Sequence, residues 1–285
     1  MNEAIENMLA RYKCKSISDY ENALKEILQE LALLALWRAK FFEHAAFYGG
    51  TALRIVYGLN RFSEDLDFSL LAPDDTFIID NYFPFLSQEL KAFGFDVEIQ
   101  KVDKNKSSAI ESAFIKANTL EHLLKIKVNH KGHKEKKLQI KFDVDIDPPL
   151  YFETESKYIL QPVPFSVRVY KPSFLFAGKV HALLFRKWKN RVKGRDWYDF
   201  VWFIAQSIPL NINHLAERIR QSGHWPMDKY FSREDFFQIY HRKIDELNLE
   251  QAKNDIAPSL RDASVLEVWS QEFFLNLGTK ISFEG

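Results

Sequence analysis

The chain has 285 residues, enough for one large domain or two ordinary ones, and its 46% hydrophobic and 15% aromatic residues, 25 of them Phe, can fill a sizeable core. Lysine plus arginine equals aspartate plus glutamate at 39 each, which excludes a polyelectrolyte and leaves any nucleic-acid contact to local patches. Cys14 is the sole cysteine, which excludes an intrachain disulfide and a Cys-rich zinc site. With no apolar run near the ~20 residues of a membrane span and no apolar centre in Met1 to Lys15, no membrane association is expected and the expected compartment is the reducing cytoplasm.

In chain order, Ser18-Asp19-Tyr20-Glu21 has the form of a capping box and predicts a helix to about His44, with Leu24, Ile27, Leu28, Leu31 and Leu34 as its buried stripe. Phe47 and Tyr48 then lead into Gly49-Gly50-Thr51 and TALRIVYG, which reads as a strand turning sharply into a short helix whose bare amides suit phosphate. Next, Asp65, Asp67 and Ser69 alternate with Leu66, Phe68 and Leu70, so a strand would put the apolar set inside and both carboxylates on one accessible face. Carboxylates two apart on a strand can converge on a hard cation such as Mg²⁺ or Mn²⁺.

A second helical pattern lies between Pro73 and Gly94, built on Phe77, Ile78, Phe85, Leu86 and Leu90. From Asp96 to Ile146 short alternating stretches predict a β-meander: DVEIQKV, SAFIKANTL, LLKIKVNH and KLQIKFDVDI, the last two joined by HKGHKEK. In the last stretch Ile140, Phe142, Val144 and Ile146 face one way and Lys141, Asp143, Asp145 and Asp147 the other, before Pro148-Pro149 ends the strand. A third carboxylate is therefore available from Asp143 or Asp145.

A further strand, VPFSVRVY, precedes a mostly helical remainder that opens at Pro172 with SFLFAGKVHALLFRKW. In this helix Lys179 borders Ala177, Gly178 and Ala182, small residues that leave room for a ligand. Between Arg186 and Arg195 six cations occur without one acid, Lys187, Lys189, Arg191 and Lys193 among them, and Trp188 lies within the run as a base-stacking candidate. KGRDWYDFVWF follows, with Asp196 and Asp199 three apart on one helix face; Asp199 suits a cap or an arginine partner. Beyond Gln206 no motif is visible, and His214, His224 and His241 are isolated. The sequence contains no Walker loop, Rossmann glycine motif or Gly-x-Ser-x-Gly.

Residues 49 to 68, GGTALRIVYGLNRFSEDLDF, resemble throughout the AbiEii family of nucleotidyltransferase toxins, which includes the MenT enzymes. A-x-K-x-x-A-L followed by R-D-x-Y-D matches that family's second signature, and the resemblance covers roughly residues 30 to 205. The polymerase β-like superfamily spaces its glycines and Asp-x-Asp slightly closer than Gly50 and Asp65, and the extra residues belong to the family's own Y-G-x-x-R-F-S-E segment.

The resemblance implies an α+β fold with a mixed nucleotidyltransferase sheet. Residues 1–160 would form the core, and a helical portion, residues 161–285, would complete the active site. It implies catalysis by Asp65, Asp67, Asp143, Lys179 and Asp196, with the three first-named carboxylates as ligands of Mg²⁺ or Mn²⁺. Gly49, Gly50, Thr51, Arg61 and Lys179 would hold the NTP, Asp145, Arg195 and Asp199 are further candidates, and Lys187, Lys189, Arg191 and Lys193 would hold RNA. The implied reaction moves a nucleotidyl group to an acceptor hydroxyl, the tRNA 3′ end in the MenT branch, in a toxin checked by a cognate antitoxin. Two alternatives remain on the residues alone: nucleotidyl or phosphoryl transfer to a protein side chain, and a non-catalytic nucleotide-binding module.

Overall fold

The structure, a computed structural model, describes residues 3–102, 109–117, 138–186 and 192–285. These residues form two compact units: one of Met1–Gly58, Phe62–Pro148 and Thr154–Val169, the other of Leu59–Arg61, Pro149–Glu153 and Tyr170–Gly285. No helix among the described residues is long and apolar enough to cross a membrane.

The first unit begins with α1 (Glu3–Ala10) and α2 (Ile17–Arg38). The cap of α2 lies two residues earlier than the sequence pattern places it. Ser16 is the extended residue, its hydroxyl accepts from the Asp19 amide, and the Asp19 carboxylate reaches back to the Ser16 amide at 2.8 Å. The helix also ends at Arg38, short of His44, because Lys40 turns left-handed (φ 59°) and a 3-10 turn, Phe41–Glu43, redirects the chain into the sheet. Phe41 drives that turn by packing edge-on against Phe68 and Tyr82, each 4.9 Å away. From Glu26 to Leu36 every residue of α2 is buried, so the expected stripe is a helix covered on all sides. Its buried acids are paired: Glu26 with Arg54 at 2.9 Å and Glu30 with Arg11 at 2.7 Å.

The sheet is built from β1 (Ala45–Tyr48), β2 (Leu66–Leu70), β3 (Val97–Lys101), β4 (Ile110–Ala117), β5 (Leu138–Asp145), β6 (Thr154–Ile159) and β7 (Phe165–Tyr170). Its order is β3-β4-β5-β2-β1-β7-β6. β1 runs antiparallel to β2 and parallel to β7, while β2 runs parallel to β5. Within 96–146 the described strands follow the expected meander, β3 antiparallel to β4 and β4 antiparallel to β5, and the sheet becomes mixed only where β5 meets β2; the stretch LLKIKVNH and the tip HKGHKEK lie outside the described residues. α3 (Gly49–Tyr57) connects β1 towards β2, and α4 (Phe83–Ala92) is shorter than the Pro73–Gly94 pattern suggests. The Thr76 amide and hydroxyl both donate to Asp74 Oδ1, at 2.9 and 2.6 Å, which holds a turn where helix is expected. Phe77 and Ile78 precede the helix, and Ile78 and Phe85 are exposed. Phe47 stacks on Phe68 at 5.2 Å and Phe68 meets Phe142 at 5.1 Å, so three adjacent strands share one aromatic core.

The second unit contains α5 (Pro172–Phe185), α6 (Gly194–Ala205), α7 (Ile212–Gln221), α8 (Arg233–Asp245), α9 (Leu249–Ile256) and α10 (Gln271–Gly278), with a two-residue parallel pair, β8 (Leu210–Asn211) and β9 (Phe283–Glu284). Phe176 of α5 stacks on Phe203 of α6 at 4.5 Å, and Tyr240 of α8 donates its hydroxyl to the Phe274 carbonyl at 2.7 Å. A Cβ at Gly194 would lie 2.9 Å from the Ala252 carbonyl carbon, so only glycine lets α6 begin against α9.

Candidate active site

In the first unit the site starts where β1 becomes α3. Gly49 adopts φ +83°, and a Cβ there would lie 3.0 Å from both Cβ and Cγ of Asp67. The glycine therefore serves two needs, a left-handed turn and close approach of the Asp67 carboxylate. Tyr48 caps α3 with backbone alone, so the first amides of the helix, from Gly49, Gly50 and Thr51 onward, retain the anion-binding character of a helix start. The Thr51 hydroxyl, fully buried, donates to the Asp65 carbonyl and ties α3 to the residue before β2. The Thr51 side chain thus serves the scaffold, and what Thr51 offers a nucleotide is its backbone amide.

The pairing register brings the carboxylates together. Asp67 of β2 lies opposite Asp143 of β5, and Ser69 lies opposite Asp145. Neighbouring strands are ~4.8 Å apart and paired residues face the same side, so Asp67 and Asp143 are lateral neighbours. Asp145 Oδ1 accepts from the Asp147 amide at 3.1 Å, a local turn that ends the strand. Between the two candidates for the third carboxylate, register thus selects Asp143 as the neighbour of Asp67. Asp65 precedes the strand and is exposed, instead of alternating within it.

Asp143 is half-buried and held from two sides, by the Ser112 hydroxyl on one oxygen and the Lys141 ammonium on the other. Neither partner was singled out from sequence. Lys141 was legible, two residues before Asp143 on one strand face, whereas Ser112 follows only from the β4 and β5 register. Among the described residues no three His, Cys, Asp or Glu side chains form a ready metal cluster. Two adjacent carboxylates nevertheless suit Mg²⁺, which is commonly bound by one or two carboxylates together with substrate phosphates.

In the second unit Asp199, fully buried on α6, accepts Arg61 Nε at 2.6 Å, Arg61 Nη2 at 2.7 Å and Lys179 Nζ at 2.8 Å. Burial pushes the Asp199 carboxyl up, but Arg61 and Lys179 outweigh it and hold the pKa below the ordinary range. Arg61, which the resemblance places at the nucleotide, has a buried guanidinium forked onto Asp199, 138 positions away. Lys179 is only 16% exposed and bound to the same carboxylate, so it is also part of the unit's internal framework.

Asp196, 5% exposed, occupies the first turn of α6, where the helix dipole favours an anion. Lys193 is half-buried just before that helix, and Arg195 is half-buried at its second residue. Burial lowers the Lys193 pKa; Asp196 opposes this, while Arg186, Lys179 and Arg195 add to it. Lys187, Lys189 and Arg191 lie outside the described residues.

The family model described as nucleotidyl transferase AbiEii toxin, type IV TA system, matches residues 31–276. The fold is similar to the crystal structure of a putative nucleotidyltransferase from H. pylori, with TM-score 0.52 and 19% identity over 90% of this chain and 91% of that one. It is also similar to JHP933 from Helicobacter pylori, with TM-score 0.50 and 19% identity over 91% of this chain and 89% of that one. No curated protein matches the chain. With most of its length accounted for by the family model, the chain belongs to the AbiEii family of nucleotidyltransferase toxins.

Proposed function

We propose that this toxin transfers a nucleotidyl group from an NTP to the 3′ hydroxyl of tRNA in a divalent-metal-dependent reaction, and that it acts in the cytoplasm against a cognate antitoxin. The observation that carries this reading is the parallel pairing of Asp67 with Asp143, with Gly49 fitted against Asp67 at the start of α3. Asp67 and Asp143 would hold Mg²⁺ or Mn²⁺, which when bound supplies charge neutralisation at the reacting phosphate. The amides from Gly49 to Thr51 bind phosphate oxygens, and Asp143, steadied by Ser112, is the oxygen acceptor placed to take the proton of the attacking hydroxyl. Lys179 and Asp196 are proposed to serve the same reaction, Lys179 by offsetting phosphate charge.

The test is incubation with each labelled NTP, Mg²⁺ and total cellular RNA and protein, using wild type, Asp67→Asn and Asp143→Asn. Label should enter RNA, should require the metal, and should vanish in both variants while their melting curves stay close to wild type. Label in protein would move the acceptor to a side chain. Full transfer by either folded variant would overturn the two-carboxylate site.

A further inference from the structure

The second unit carries a half-open pocket of about 620 Å³, within the size range of small-ligand pockets. Its wall comes from the end of α5, the start of α6, the last half of α8 and the turn at Trp225. Four cations line it, Arg186, Lys193, Arg242 and Lys243, against two carboxylates, Asp196 and Glu246. The rings of Phe185 and Trp225 stand among them. An ordinary packing void would be apolar, and a solvated charged face would not offer aromatic walls. Glu246 reaches Lys243 only at 3.9 Å, and the lining carries four cationic side chains to two carboxylates.

Two further observations point to an anionic, aromatic ligand. Trp225 Nε1 is buried and without a hydrogen-bond partner among the described residues, although an indole N–H shut from water ordinarily finds an acceptor. Lys229 covers one face of the same ring at 4.7 Å, adding cationic character to the Trp225 wall. The cavity also adjoins the family signature: Asp196 is in its wall, and Ala182 and Leu183 follow Lys179 by three and four residues along α5. Arg186 and Lys193 bracket the inner part of the basic run seen in the sequence.

We propose that this cavity seats the 3′-terminal nucleotide of a single-stranded RNA end, with its base against Trp225 or Phe185 and the adjoining phosphates on Arg186, Lys193, Arg242 and Lys243. The proposal rests on the transfer reading above and assigns its acceptor site to residues of α8 and the Trp225 turn, where no sequence motif is visible. Base stacking supplies sequence-tolerant affinity, and the cations supply a salt-dependent part.

The experiment measures binding of a 5′-fluorescein single-stranded RNA oligonucleotide by anisotropy across a salt series, alongside KM for NTP and for RNA. It uses wild type, Trp225→Ala and the double variant Arg242→Glu/Lys243→Glu, whose side chains lie on the outer turn of α8. The charge reversal should weaken oligonucleotide binding by about tenfold or more and flatten the log–log salt slope by about two, while KM for NTP stays within about twofold. Trp225→Ala should weaken binding without changing the salt slope. If oligonucleotide binding is unchanged and KM for NTP rises, the cavity holds the donor and the proposal is overturned; if neither moves, it is overturned as well. If wild type binds the oligonucleotide in the variant-sensitive way yet labels no RNA, the transfer reading fails and the cavity assignment stands. If wild type labels RNA and the variants are indifferent, the reverse holds.

Discussion

Replacing Asp199 by Asn keeps the side chain's size and removes its charge, leaving the Arg61 guanidinium and Lys179 ammonium without their shared counter-ion. Arg61 is 3% exposed and Asp199 fully buried, so water cannot take over. Breaking a buried ion pair from one side costs about 3–5 kcal/mol, and at ~2–4 °C per kcal/mol for a large domain the melting temperature should fall by roughly 6–20 °C. Removing the arginine as well should recover part of this: Arg61→Met/Asp199→Asn should be more stable than Asp199→Asn alone, because the uncompensated guanidinium is gone. The comparison is made by thermal and urea unfolding of the two single variants, the double variant and wild type. The pH dependence gives an independent reading. The folded pKa of Asp199 lies below the unfolded value, so its contribution is present above the unfolded pKa near ~3.9 and is lost as pH falls through the folded value. The gap between wild type and Asp199→Asn should accordingly narrow below about pH 4. A single variant within about 1 kcal/mol of wild type, or strictly additive losses in the double variant, would refute this account of the network.

Gly49→Ala should abolish transfer and cost at least ~1–2 kcal/mol, from left-handed backbone strain alone, before the contact with Asp67 is counted; activity and unfolding assays on one preparation test both. Lys179→Ala should lower stability by about 1.5–3 kcal/mol as well as activity, since its ammonium bonds a buried carboxylate. A variant with wild-type melting would show that Lys179 acts only on substrate. His181 and His214 are each held down to about 3, by burial first and then by Arg218 beside them, so both stay neutral when folded. Between an unfolded pKa of ~6.5 and that value the unfolded chain takes up protons that the native state refuses, and stability should fall on acidification. His181→Gln should therefore flatten stability against pH between 6 and 5 relative to wild type, by up to ~1.4 kcal/mol per pH unit. An unchanged slope would place a proton on the native histidine.

What the sequence determined by itself are features that depend on near neighbours. Gly49-Gly50 after two aromatic residues, the alternation around Asp67 and Asp143, and Pro172 opening α5 all use local periodicity or backbone constraint, and each appears where its residues place it. The sequence also misplaced features that turn on one side chain's choice. Ser16, not Ser18, caps α2, because the Asp19 carboxylate and not that of Glu21 reaches back to the cap. The tertiary structure alone decided which distant groups meet. Parallel pairing of β2 with β5 set Asp143, not Asp145, beside Asp67, and a register shift of one residue would have turned that carboxylate to the opposite face. Arg61 was legible as part of a motif, but its partner Asp199 lies 138 residues on, and nothing local distinguishes a guanidinium bound for a phosphate from one bound for a buried carboxylate. The same holds for Trp225, Arg242 and Lys243, ordinary in sequence and brought to one pocket only because the turn that carries the first and the helix that carries the other two pack around it.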